Sequence, residues 1–206
     1  MKPWYLFALI LVVSCGNTEN EVPQPIADSN RVTKDTRFFE EQDINWISEQ
    51  TRLFVREENI KLLDEGEQTF QAVDFTPSRQ FFKAYETVLI WNADSSKILD
   101  IGSYGSVPVE RGGEIVLEGG EPDNEVALID LPERKRYRLF FAGPSAEVLD
   151  GKWVDKQTVM FITSFEGEDA KETSVWIINL SNNYLRRYQV ETAPAILPDS
   201  ASSFME

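Results

Sequence analysis

The chain carries one thiol, Cys15, and no histidine in 206 residues, so the side chains available for chemistry are narrow in type. A lone cysteine and no imidazole exclude Ser-His-Asp and Cys-His systems, a histidine general base and zinc sites of the usual ligand sets. Any catalysis must rest on Asp, Glu, Tyr, Lys or Ser. Carboxylates dominate, and two strings set them beside glycines: Glu118-Gly119-Gly120-Glu121-Pro122-Asp123-Asn124-Glu125 and Glu166-Gly167-Glu168-Asp169. Oxygen-rich turns can hold Ca²⁺, but neither spacing matches the EF-hand loop, and both read as solvated hairpin tips. Paired carboxylates about 5 to 9 Å apart can run glycoside hydrolysis without histidine. Asp94, Asp100, Asp130 and Asp155 sit near strand ends where such groups could converge, although turn hydrogen bonding accounts for each of them. Trp91, Trp153, Trp176, Tyr85, Tyr137, Tyr184 and Tyr188 are able to stack against a sugar or peptide, and in strands they read first as core or cross-strand pairs. Gly102-Ser103-Tyr104-Gly105 and Arg111-Gly112-Gly113 lack the strand-loop-helix setting of a phosphate loop. The residues therefore assign no catalytic, cofactor-binding or metal site.

Cys15 has a specific setting. Lys2 is followed by an apolar run from Trp4 to Val13 and then by Ser14-Cys15-Gly16, the layout of a secretory signal. Ten helical residues rise about 15 Å, half of a hydrocarbon core of about 30 Å, so the run is too short to span. Val12-Val13-Ser14-Cys15 resembles the lipobox of bacterial lipoproteins. That resemblance implies cleavage after residue 14, lipidation of Cys15 with acyl chains such as palmitate, and a membrane anchor at the new N-terminus. In Gram-negative lipoproteins an Asp after the cysteine signals inner-membrane retention. Gly16 in that place implies a cell-envelope protein sorted to the outer membrane.

The formal charge is −15, and loss of Lys2 with the signal leaves 19 basic against 35 acidic residues. Such a body is repelled by nucleic acid and by anionic headgroups, so contact with the membrane is expected through lipid alone. Residues 15–35, rich in Asn, Glu, Pro and Ser, are expected to form a flexible tether, and residues 192–206 a disordered tail. Residues 36–191 hold most of the apolar content and are expected to fold as a single β domain.

Within it, short β-prone runs flank polar turns: 87–91 and 97–101 around Asn92–Ser96, 125–131 and 136–142 around Pro132–Lys135, 174–180 and 184–190 around Ser181–Asn183. The turn Val154–Gln157 leads into a run at 158–163. Thr36 is a candidate cap for a short helix through Phe38, Phe39, Ile44 and Ile47, and 52–56 with 60–63 reads as a further hairpin. The stretch from Asp74 to Lys97, with Thr76-Pro77 and Trp91-Asn92, resembles one blade of a WD-repeat or periplasmic β-propeller. The expected fold is all-β, an antiparallel meander of hairpins arranged as a propeller or a sandwich, with at most one short N-terminal helix. The expected function is a non-enzymatic binding or interaction module for an envelope protein or glycan. The alternatives are a carboxylate-dependent hydrolase of envelope or environmental glycans, and a purely structural lipoprotein.

Overall fold

A computed structural model of the chain describes residues 39–120, 122–167 and 171–191. Cys15, the signal, the tether, the tail expected at 192–206, Thr36, Glu121 and Glu168-Asp169 lie outside the described residues. Every strand pairing is antiparallel. One five-stranded sheet has the order β1 (Ile60–Glu67), β12 (Tyr184–Val190), β11 (Lys171–Asn179), β10 (Thr158–Glu166), β9 (Ala146–Trp153). We call it sheet A. Sheet B has the order β2 (Gln71–Asp74), β8 (Lys135–Ala142), β7 (Asn124–Asp130), β4 (Lys97–Asp100), β3 (Leu89–Trp91). A separate hairpin joins β5 (Ser106–Arg111) to β6 (Glu114–Gly119).

The sheets form a sandwich because strand alternation gives each an apolar face for the other. Leu99, Val126, Leu128 and Leu139 from sheet B meet Val159, Phe161, Ile178 and Leu185 from sheet A. Phe161 stacks on Trp176 with centroids 5.8 Å apart, and Phe140 meets the same indole at 5.3 Å. Gly151 lets the layers approach, since a Cβ there would lie 2.9 Å from both Leu99 Cδ2 and Ile101 Cγ2. Gly151→Ala is therefore expected to lower stability by about 1–3 kcal/mol through overpacking, measurable as a reduced urea midpoint.

Each sheet covers its other face with one short helix, so two α-helices are present where at most one was expected. Helix α1 (Glu41–Thr51) places Ile47 over Met160, Ile162, Val175 and Ile177 of sheet A. It starts at Glu41 rather than near Thr36, because Asp43 reaches back to accept the Glu40 N–H at 3.0 Å. Helix α2 (Arg79–Ala84) falls within the blade-like stretch. Ser78 caps it, accepting the Phe81 N–H at 3.1 Å, and Phe81 and Phe82 pack with Phe75 against Leu89, Ile98 and Ile129 of sheet B. Among the described residues no helix is long and apolar enough to cross a membrane.

Three expected hairpins are present as β3–β4, β7–β8 and β11–β12, and their turns hold Ser95, Arg134 and Asn183 at positive φ. The hairpin read over 52–63 is not. Arg52 ends α1 at φ 58, Val55 is buried with its N–H on Ser48 Oγ, and β1 pairs with β12 far along the chain. The β5–β6 hairpin, which turns on Gly112 and Gly113 at positive φ, is an addition to the expected hairpins.

Candidate functional site: an arginine and aromatic groove

Strand register brings charges together on the outer face of sheet B. Arg138 of β8 lies between Gln71 of β2 and Ala127 of β7, and Ala127 in turn faces Asp100 of β4. Arg136, two residues from Arg138 on the same face, donates through Nη1 to Asp100. Its Nε and Nη2 reach Glu125 Oε1 at 3.2 and 2.9 Å, and Arg138 Nε reaches Glu125 Oε2 at 2.6 Å. Asp100 also accepts the Gly102 and Ser103 N–H groups at 3.2 and 2.9 Å and the Ser103 hydroxyl.

The four side chains differ in access to water. Asp100 is 0%, Glu125 3% and Arg136 13% exposed, whereas Arg138 is 39% exposed. Burial by itself pulls the Arg136 guanidinium toward losing its proton, but Asp100 and then Glu125 outweigh it and hold the pKa above its ordinary value. The inner three charges form a closed, mutually satisfied set. Both acids accept from fixed donors on each oxygen, so neither is placed to hand a proton to a ligand.

Arg138 is the outlet of this set. Its Cζ lies 4.4 Å from the Phe141 ring centroid and 5.9 Å from that of Tyr104, and its terminal nitrogens have no partner among the described residues. Because β2 covers β8 only from Lys135 to Arg138, the rest of that edge stays open. Arg138 and Gln71 line both a cavity of about 220 Å³, with Tyr104 and Arg136, and a groove of about 510 Å³ on the open side of the sandwich. Phe140, Phe141, Trp176 and Arg187 line the groove. Arg187 pairs with Asp64 at 2.7 Å, lies 5.2 Å from the Trp176 centroid, and keeps a buried Nε without a partner among the described residues. Two guanidiniums on aromatic faces, with the outer donors of Arg138 unused among the described residues, suit a ligand that joins an acidic group to a planar or apolar part.

No protein-family model, curated protein or solved structure matches this chain.

The residues singled out from sequence are mostly dispersed. Asp94 and Asp155 close turns, accepting N–H groups of Ser96 at 3.0 Å and Gln157 at 2.7 Å, and Asp130 accepts from Glu133 N–H at 3.0 Å while pairing with Lys97. Of the four aspartates only Asp100 joins the charged set, and there it is structural. In the acidic string Glu118 pairs with Arg111, while Glu125 turns inward to the two arginines. Among the described residues no three carboxylates converge as a metal site would require.

Trp153 donates to the Ile90 carbonyl at 2.9 Å, Tyr85 to that of Ser106 at 3.1 Å, and Tyr188 meets Phe39 edge-on. The Tyr137 hydroxyl donates to Glu133 at 2.6 Å, and that bond, with burial and the same negative charge, pushes its pKa up to about 12. Of the aromatics named from sequence, Trp176 lines the groove. Arg138, Arg187, Tyr104, Phe140 and Phe141 were missed. The local signal was the Arg136-x-Arg138 pair at strand spacing beside an apolar run.

Proposed function

We propose that this protein is a lipid-anchored binding module of the cell envelope, whose arginine and aromatic groove takes an acidic ligand with an apolar or planar part. The observation that carries this reading is Arg138. Its backbone-proximal nitrogen is fixed by Glu125, its guanidinium lies over Phe141 with Tyr104 alongside, and its outer nitrogens are unused among the described residues. An arginine held in this way loses little freedom when a carboxylate pairs with it. The overall negative charge repels an anion at long range, so recognition falls to these close donors. Donor saturation of Asp100 and Glu125 works against the glycan-hydrolase alternative, which needs one acid able to release a proton. The anchor rests on Cys15 and its lipobox setting.

The test pairs an acid with its neutral twin. N-acetylphenylalanine is expected to bind saturably to the full chain, and its amide at least about tenfold more weakly, the difference of one charge-assisted hydrogen-bond pair. Arg138→Met, which keeps the stem over Phe141, should lose that preference. Equal binding of acid and amide, or an unchanged preference in the variant, would rule the groove out.

A further inference from the structure

A second cavity lies on the opposite layer of the molecule and shares no residue with the arginine groove. It measures about 670 Å³ and opens where the C-terminal end of α1 meets the outer face of sheet A. Ser164 and Thr173, paired across β10 and β11, line it with Leu149. Ser164 is 1% exposed, and its Oγ has no hydrogen-bond partner among the described residues. A buried hydroxyl without a partner is uncommon, and a bound water or ion is one of the explanations for it.

The wall around this hydroxyl carries two carboxylates, Glu49 and Glu147, two cations, Arg52 and Lys171, and the end of α1. Helix α1 ends at Thr51 with no basic residue in its last turn, so the negative end of its dipole is uncompensated from within. The carbonyls of Gln50 and Thr51 accept no hydrogen bond among the described residues, whereas those of Ile47 and Glu49 are taken by Thr51 Oγ1 and the Arg52 N–H. Glu49, on the wall, has no ion-pair partner among the described residues. The other wall carboxylate, Glu147, is neutralised by Lys171 at 3.1 Å. Arg52 is the one remaining lining cation, and it is exposed. With Glu147 matched by Lys171, the acceptors left on this wall are Glu49, the end of α1 and the Ser164 hydroxyl, and an ammonium group offers three N–H bonds in a compact charge.

We propose that this groove binds an alkylammonium group, supplied by a free diamine or by a lysine side chain. The ammonium would take Ser164 Oγ and the end of α1 as acceptors, and its alkyl stem would lie along Leu149 and Leu53. The proposal is independent of the arginine groove, and either can fail without the other.

Calorimetric titration of the full chain with 1,5-diaminopentane and with Nα-acetyl-lysine amide tests it, with 1,5-pentanediol as the neutral control. Saturable binding of either amine is expected, the tighter of the two identifying the source, and no heat from the diol. Ser164→Ala removes an unpaired buried hydroxyl, so it should melt no lower than the parent while binding the amine about tenfold more weakly. Arg52→Ala, by removing a like charge from the rim, should bind more tightly. Absence of saturable binding for both amines, equal binding of the diol, or full affinity in the Ser164→Ala protein would each overturn the site.

Discussion

Arg136→Met is expected to lower the stability of the β domain by about 3–5 kcal/mol, the usual result of removing one partner from a buried ion pair. The reason is what remains. Asp100, at 0% exposure, and Glu125, at 3%, would both keep their charge requirement and lose the guanidinium between them. Gly102, Ser103 and Arg138 would still donate to them, which keeps the loss from being larger. Methionine fills the stem volume, so the loss is electrostatic and not a cavity effect. Urea denaturation measures it, and the difference between parent and variant should change little between low and moderate salt because buried pairs are weakly screened. Replacing Asp100, Glu125 and Arg136 together by apolar residues should be far milder than the single change, since no buried charge is then left alone. A single-variant loss below about 1 kcal/mol would mean that water reaches these acids and the set is not closed.

Cys15→Ser is expected to move the protein from the detergent phase to the aqueous phase almost completely. One acyl chain gives a membrane association constant of about 10⁴ M⁻¹, and each further buried CH₂ adds about 0.8 kcal/mol, so several chains on one residue hold firmly and their loss is total. The net charge of −15 offers no electrostatic substitute for the proposed lipid at an anionic surface. Phase partitioning with mass analysis of the N-terminus reads both the anchor and the cleavage before residue 15. Retention of the serine variant in the detergent phase with unchanged mobility would show that the lipobox resemblance is misleading.

The hairpins were legible because their information is local. Asn92–Ser96, Pro132–Lys135 and Ser181–Asn183 supply turn residues between branched and aromatic flanks, and Ser95, Arg134 and Asn183 take positive φ there. Helix α2 was not legible as such. Thr76-Pro77-Ser78 serves a strand turn or a helix cap equally well, and Phe81, Phe82 and Tyr85 satisfy either pattern over so short a run.

Pairings between distant strands leave no local mark. β1 joins β12, and the groove exists because β2 begins only at Gln71, opposite Arg138, leaving Phe141 at the open edge. Asp100 was visible as an acid near a strand end, whereas Glu125, expected in a solvated hairpin tip, is buried, and their common partner Arg136 emerges only once β4, β7 and β8 are in register. The aspartates at turns show the converse. Asp94 and Asp155 do what their neighbours in sequence imply, because the N–H groups that they accept are two residues away.

The direct test of ligand recognition is nitrogen NMR of the arginine side chains during titration of the full chain with N-acetylphenylalanine. The Nε–H signals of Arg138 and Arg187 are expected to shift together and saturably with one dissociation constant, while that of Arg136, enclosed by Asp100 and Glu125, stays in place. Movement of Arg136 with Arg138 and Arg187 still, or no saturable shift at any of the three, would contradict the assignment of this groove as the binding site.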